Sequence, residues 1–346
     1  MKRRVWTGIL VSAVFLALAL YKTHFGQMAE AFRGANYLYF FPAVASTLVA
    51  CLVRAVRWRF LMSPIKTIRV GPLFKASMIG MMANNILPFR LGDVAKAYAI
   101  GKFENVSKSA SLGTVFVERV FDGLTLFSFL FLVLIMYPLP HTAADTMKGI
   151  VLFTVYVGAL GFVVALVILR ERALRLLQFV LRPLPETVAK KIVGIAGRVA
   201  DGFNVVRDVR ALAIAAVLSV VNWLFVALTV YLLFFCFGMA LPFSAGLVVL
   251  TIVTLGIMVP AGPASLGTFE LACRFALQLY GQEATTGLSF AFLFHASQFL
   301  PTTVVGLGYL WREKMSLLGL TDEEVSEANG GAAPHGAGMQ PNHQKG

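Results

Sequence analysis

Long apolar runs separated by short polar segments dominate this chain. Six of the runs have about 17 residues or more, which is enough for a helix to cross the hydrocarbon core of a bilayer. These six predicted spans are Val5–Tyr21, Tyr37–Val53, Ala110–Tyr137, Met147–Leu169, Ala211–Phe237 and Thr285–Leu310. The pattern predicts an all-α polytopic integral membrane protein.

Two further apolar runs, the first of them short, each end in a break that contains proline and glycine. Leu73–Leu87 leads into Pro88–Gly92, and Leu241–Val259 leads into a matching segment, Pro263–Gly267, 175 residues further on. Inside a membrane, such a break survives where it is buried in protein or lines a wet cavity. The two runs are therefore predicted to form re-entrant, broken-helix hairpins at corresponding places in two halves of the chain.

Composition and charge agree with a membrane location. Apolar residues make up 58% of the 346 residues and charged residues 14%, against about 45–50% and about 25% in soluble domains. The net charge of +13 comes from short basic blocks between apolar runs, a pattern typical of cytoplasmic loops that face anionic lipid. Nucleic acid is therefore not an expected partner.

The basic blocks also predict the orientation. With both termini in the cytoplasm of a cell inner membrane, most of the 30 lysines and arginines lie on the cytoplasmic side, as the positive-inside rule requires. The first hairpin then opens to the cytoplasm and the second to the outside. One half becomes the inverted copy of the other, giving about six spans plus two re-entrant hairpins.

These elements divide the chain into a transmembrane domain, residues 1–314, and a disordered cytoplasmic tail, residues 315–346. The halves, about 1–169 and 211–314, are joined by the basic segment Arg170–Arg210. Its apolar residues recur at helical spacing, so it forms either two amphipathic helices on the cytoplasmic face or a solvated linker. The first apolar run is either a retained helix or a signal peptide cleaved after Ala17–Ala19. Retention of this helix is favoured because the basic blocks obey the positive-inside rule when it is counted as the first span.

Candidate chemistry is concentrated at the first break. Arg90 lies two residues before Gly92, where a new half-helix would begin, and helix N-termini attract anions. Asn84 and Asn85 add amide donors, while Asp93 is either a ligand or a cap for the half-helix. No cofactor or metal is expected, because the three cysteines are isolated in apolar runs.

The second break has its own polar residues. Ser265 and Thr268 are expected mainly to cap the following half-helix, and Glu270 is either a cap or a ligand. His295, in the last span, is expected to form an interhelical hydrogen bond, with proton carriage as the less favoured role.

Three charged residues stand in the middle of a predicted span. Glu118 and Asp122 share a helix face, and Arg119 can reach Asp122. A charge at the centre of a membrane helix costs at least about 2.5–3.5 kcal/mol, so a functional role facing the first break is favoured over a structural ion pair.

Three motifs in combination resemble a known family. NNILPFRLGDVAKAY, SASLGTVFVERVFDG and VPAGPASLGTFE are similar to segments of the flippase-like membrane family that forms the transmembrane half of lysylphosphatidylglycerol synthases. The resemblance covers roughly Met1 to Lys314. The matching positions are Asn85, Pro88, Arg90, Gly92, Asp93, Glu118, Arg119, Asp122, Pro260, Gly262, Gly267 and Glu270. The family often has an arginine near the place of His295, and the soluble aminoacyl-transferase half has no counterpart in these residues.

The resemblance implies handling of phospholipid or polyprenyl-type lipids. The expected activity is that of a lipid transporter without catalysis, which binds an anionic headgroup at midplane and moves it between leaflets. Two alternatives are an accessory subunit partnered with a lipid-biosynthetic enzyme and a membrane-embedded lipid-modifying transferase. The transferase is less favoured because no Asp-x-Asp metal motif occurs in the sequence.

The orientation is testable by cysteine accessibility. Met1, Arg170–Arg210 and the tail should be cytoplasmic, and Pro138–Asp145 and Gly281–Glu283 should face outside. A cysteine introduced at Thr142 should react with an impermeant thiol reagent from outside, and labelling from the cytoplasm alone would contradict this topology.

Overall fold

The computed structural model describes residues 2–21, 23–87, 91–136, 158, 208–257 and 262–315. Several predicted features lie outside these residues. They are the span Met147–Leu169 apart from Gly158, the loop Pro138–Asp145, the basic segment up to residue 207 and the tail from residue 316 onward.

Helices make up the regular structure of the described residues, and no strand occurs among them. Ten α-helices follow in chain order: α1 Lys2–Leu20, α2 Phe25–Gly34, α3 Phe40–Met62, α4 Val70–Ile86, α5 Gly92–Glu104, α6 Lys108–Met136, α7 Val209–Cys236, α8 Phe243–Gly256, α9 Thr268–Gln278 and α10 Ala284–Arg312. Short 3-10 turns cover Tyr37–Tyr39 and Pro263–Ser265.

Three of the described helices are long and apolar enough to cross a membrane. They are Tyr37–Met62, which joins the first 3-10 turn to α3, and the helices α7 and α10. The 29 residues of α6 are also long enough, but this helix carries three charged residues within five positions. The prediction of an all-α membrane protein is confirmed.

Both predicted breaks interrupt helices. The first separates α4 from α5 between Ile86 and Gly92, and the second separates α8 from α9 between Gly256 and Thr268. The second break contains left-handed backbone at Ala264, Ser265 and Gly267 (φ 56°, 54° and 90°). Because α4 packs on α5 and α8 packs on α9, each broken pair folds back on itself as a hairpin.

The order of helices in the first half recurs in the second. Shifting α3, α4, α5 and α6 by 175 residues places them on α7, α8, α9 and α10, to within one residue at both ends for the last two pairs. The packing repeats in the same way. The helix α4 of the first half lies against α10 of the second, and α8 of the second half lies against α6 of the first. Each half thus contributes a hairpin that packs on a long helix of the other half. The direction of each half across the membrane stays a prediction.

The helix α3 is longer than predicted. The apolar run was expected to end at Val53, yet the helix continues through Arg54 and Arg57 to Met62. It continues because Arg57 finds buried carboxylate partners on α6. The short helix α2 was not predicted, since only half of its ten residues are apolar and the segment is too short to cross a membrane.

The first helix packs against the second break. The N–H of Gly262 donates to the Ser12 hydroxyl at 2.8 Å, and Arg274 of α9 donates to the carbonyl oxygen of Tyr21 at 2.9 Å. A Cβ on Gly267 would lie 2.5 Å from the backbone nitrogen of Leu16. These contacts make α1 part of the packed structure, and its retention stays a prediction.

The close approach of α4 and α5 gives a test of the first hairpin. A Cβ on Gly92 would lie 1.9 Å from the carbonyl oxygen of Gly80, so Gly92→Ala should destabilise the hairpin by about 1–3 kcal/mol, as overpacking does. Gly123→Ala in α6 is the matched control, because a Cβ there meets nothing within 4 Å. Thermal unfolding in detergent should show a lower midpoint for Gly92→Ala and an unchanged or higher one for Gly123→Ala. Equal midpoints would argue against this helix contact.

Candidate functional site

A cavity of about 240 Å³ lies where the two hairpins meet the long helices. Its wall takes residues from both halves and from both breaks. The polar and charged side chains on the wall are Thr47, Arg54, Ser77, Asn84, Asn85, Asp93, Lys96, Glu118, Arg119, Thr254, Ser265, His295, Gln298 and Thr302. The structure thus brings together residues that the sequence predicted separately from the two breaks and from α6.

The two asparagines of the first break hold the hairpin in place. The N–H of Gly92, at the start of α5, donates to the Asn84 side-chain oxygen at 2.8 Å. The Asn85 amide donates to the hydroxyls of Thr302 and Thr303 on α10, at 3.1 and 2.8 Å. Asn84 caps the half-helix, and Asn85 attaches the hairpin to the other half. Both line the cavity, so a ligand role for them stays a prediction.

The most buried charged contact is centred on Arg57 of α3, which has no exposed surface. Its guanidinium donates to Glu118 Oε1 at 2.8 Å and to Asp122 Oδ1 at 2.7 Å. It also donates to the Ser219 hydroxyl at 2.7 Å, and the Trp223 indole donates to Asp122 Oδ1 at 3.1 Å. Arg57 therefore connects α3 to α6 through two buried ion pairs and to α7 through a hydrogen bond to Ser219.

Two further ion pairs connect the first hairpin to α6. Lys96 of α5 lies 2.5 Å from Glu118 Oε2, and its ammonium sits 3.9 Å from the centre of the Trp58 ring. Arg119 forms a two-armed contact with Asp93, in which the Nε–Oδ2 distance is 2.9 Å. The distance from Arg119 to Asp122 is 3.6 Å. These contacts make one continuous charged cluster across α3, α5 and α6.

The predicted arrangement of the α6 charges is therefore observed in part. Glu118 and Arg119 line the cavity beside Asp93 of the first break, whereas Asp122 is held by Arg57 and does not reach the wall. Sequence reasoning missed Arg57 and Lys96 because it placed both in cytoplasmic segments. The sequence held one sign of further cations. Two carboxylates of α6 stand beside a single arginine, so another cation from a different helix was needed to balance their charge.

The second break is organised around Glu270, which is fully buried. One carboxylate oxygen accepts the Gly267 N–H at 2.6 Å, and the other lies 2.5 Å from His295 Nδ1. Thr268 donates to the carbonyl oxygen of Ser265 at 2.9 Å. The expected capping by Glu270 and the interhelical hydrogen bond of His295 are both present in this geometry. The expected capping by Ser265 and Thr268 is wrong, because Gly267 is the N-cap and the Thr268 hydroxyl donates to a carbonyl instead of accepting from a helix N–H.

The two halves repeat one local arrangement. An acidic residue in the first turn of the second half-helix pairs with a polar residue of the following long helix, Asp93 with Arg119 and Glu270 with His295. His295 also stacks on Phe269, with ring centres 4.4 Å apart, and faces the cavity. Three predicted site residues, Pro88, Arg90 and Pro260, lie outside the described residues.

The Arg57 contact gives a direct stability test. Arg57→Met leaves Asp122 and one oxygen of Glu118 buried without their main cation, and breaking a buried ion pair costs about 3–5 kcal/mol. The exposed Arg59 of the same helix supplies the control, Arg59→Met. Size-exclusion profiles and unfolding midpoints in detergent should deteriorate for Arg57→Met alone. Matching behaviour of the two variants would show that the Arg57 contacts contribute little to stability.

The chain is similar in sequence to known membrane proteins. A UPF0104 membrane protein of Methanothermobacter thermautotrophicus is 27% identical over 270 residues, which cover 73% of this chain and 77% of that protein. A UPF0104 membrane protein of Methanocaldococcus jannaschii is 29% identical over 199 residues, covering 58% of this chain and 80% of that protein. No solved structure gives a significant match.

A family model covers most of the chain. The model described as the lysylphosphatidylglycerol synthase TM region matches residues 5–306. This range includes both breaks, the charged cluster and all ten described helices except the end regions of α1 and α10. The chain therefore belongs to the lysylphosphatidylglycerol synthase transmembrane-region family of membrane proteins.

Proposed function

We propose that this protein binds the anionic headgroup of a phospholipid or polyprenyl-phosphate lipid in the cavity and moves that lipid between leaflets. The observation that carries this proposal is a cavity walled by charged residues at the meeting point of two interrupted helix pairs. In membrane transporters, substrate sites lie at such interruptions, between the two repeats.

The wall of the cavity suits a polar headgroup in an otherwise apolar protein. Ionised side chains inside membrane helices are costly and mark substrate or ion pathways, and here they face one cavity from α3, α5 and α6. Its volume of about 240 Å³ is below the roughly 300–1,000 Å³ typical of sites for whole drug-sized ligands. The cavity is therefore suited to a headgroup whose acyl chains stay in the bilayer.

The repeated halves supply a route between the leaflets. Each hairpin packs on a long helix of the opposite half, so a rocking motion of one half against the other would change both sides of the cavity together. Alternating access in transporters with inverted repeats works in this way around a fixed site. The proposal includes the predicted orientation, with both termini cytoplasmic in the cell membrane, and it includes no catalytic step.

Arg90 is the residue on which the sequence places the headgroup contact. Arginine offers a planar fork that matches two phosphate oxygens, whereas lysine offers a point charge. Loss of one charge-assisted hydrogen bond, worth about 1.5–3 kcal/mol, should weaken headgroup binding roughly tenfold to a hundredfold.

Leaflet accessibility in proteoliposomes tests transport. Fluorescent phosphatidylglycerol and polyprenyl-phosphate probes should become accessible to an impermeant quencher faster with wild type than in empty liposomes. Arg90→Ala should reduce the rate to the empty level, and Arg90→Lys should rescue it poorly. Arg69→Ala is the control, because Arg69 is exposed at the start of the same hairpin.

Two outcomes would redirect the proposal. Equal rates for wild type and empty liposomes with both probe classes would reject transport of these lipids and favour an accessory subunit of a lipid-biosynthetic enzyme, recoverable with its enzyme by pull-down. Equal loss in Arg90→Ala and Arg69→Ala would assign the effect to general basic charge instead of a headgroup contact.

A further inference from the structure

One cation on the cavity wall has no direct ion-pair partner among the described residues. Arg54 of α3 lies one turn before Arg57 and is half-buried. Within the described ranges of the chain, it forms no ion pair and no hydrogen bond, and its Nε is buried without a partner. Every other cation of the charged cluster makes an ion pair, whereas Arg54 acts on Glu118 and Asp122 only from a longer distance.

The charge count on this side of the cavity explains why Arg54 is left over. Among the described residues, the cluster holds four cations, Arg54, Arg57, Lys96 and Arg119, and three carboxylates, Asp93, Glu118 and Asp122. Asp93 is taken by Arg119, Glu118 by Arg57 and Lys96, and Asp122 by Arg57. The cluster therefore has one positive charge in excess.

The carboxylate of the opposite half does not correct this excess. Glu270 is fully buried, is closed off by the Gly267 N–H and His295, and is absent from the cavity wall. A half-buried charge without a direct ion-pair partner is unfavourable in a largely apolar interior. A bound anion at Arg54 would remove that cost.

A second unsatisfied group lines the same cavity. Ser77 of α4 is 2% exposed, and its hydroxyl has no hydrogen-bond partner in the described structure. Buried hydroxyls almost always have a partner, because leaving one unpaired costs its full desolvation energy. The wall thus has a guanidinium without an ion-pair partner and a hydroxyl without a hydrogen-bond partner. One anion with several oxygens would pair with both groups.

We propose that Arg54 and Ser77 form the contact for a phosphate-type anion in this cavity. The inference rests on the proposed function and deepens it, by naming a binding residue other than Arg90. The anion is the phosphodiester or phosphomonoester of a lipid headgroup, or free phosphate. Arg54 supplies the guanidinium fork, and Ser77 donates its hydroxyl to a further oxygen.

Binding is measured on the full-length protein in detergent. Native mass spectrometry follows dioleoylphosphatidylglycerol adducts, with dioleoylphosphatidylcholine as the lipid without net charge, and thermal shift follows inorganic phosphate. The variants are Arg54→Gln and Ser77→Ala. Arg59→Gln is the matched control, because Arg59 is an exposed arginine of the same helix.

Arg54→Gln should weaken phosphatidylglycerol binding about tenfold to a hundredfold, and Ser77→Ala should weaken it less, while Arg59→Gln leaves it unchanged. Without added lipid, the unfolding midpoint of Arg54→Gln should be equal to or higher than that of wild type, because the change removes a half-buried charge without a direct ion-pair partner. A merely structural arginine would instead give a lower midpoint.

Failure of the Arg54 contact and failure of the proposed function give different results. Unchanged phosphatidylglycerol affinity in Arg54→Gln, with wild type still preferring that lipid over phosphatidylcholine, overturns the Arg54 contact and leaves the proposed function standing. A lower midpoint without lipid also overturns it. Arg54-dependent stabilisation by inorganic phosphate, without a preference for phosphatidylglycerol, supports the anion contact while rejecting phosphatidylglycerol as its source.

Discussion

Charge placed inside a membrane protein must be paired with other groups of the protein, bound to a ligand or solvated in a wet cavity, because the surrounding lipid does not solvate it. In this structure the contact of Arg57 with Glu118 and Asp122 pairs the most buried charges with one another. It ties α3 to α6, and Glu118 extends the connection through Lys96 to the first hairpin. The position of the hairpin, and with it one wall of the cavity, depends on this chain of ion pairs.

The same constraint applies to backbone groups at the two breaks. Each break exposes the N–H groups of a new half-helix, and a neighbouring side chain satisfies one of them, Asn84 at Gly92 and Glu270 at Gly267. The acidic residues that follow are then held by Arg119 and His295 on the next long helix. The two halves thus satisfy the N–H groups at their breaks, and hold the acidic residues that follow, with different side chains. The arrangement leaves a polar cavity at the meeting point of the breaks, which is the proposed site for a headgroup.

Much of the fold follows from local sequence. Apolar length indicates the long helices, the proline and glycine positions indicate the breaks, and the offset of 175 residues predicts the repeat. The site is less predictable, because its decisive contacts join residues far apart in the chain. Arg57 lies in a basic stretch that has the composition of a loop, and its role is visible once α6 is packed beside it. Asn85 likewise has a side chain suited to binding a ligand, yet its hydrogen-bond partners are threonines of α10.

Direct observation of the headgroup is the sharpest test of this account. A cryo-electron microscopy structure of the protein in phosphatidylglycerol nanodiscs should show a phosphate within about 3 Å of a donor on the cavity wall, with its acyl chains passing between helices into the bilayer. A cavity without lipid density, together with phosphatidylglycerol headgroups bound at the basic surface segments instead, would contradict it.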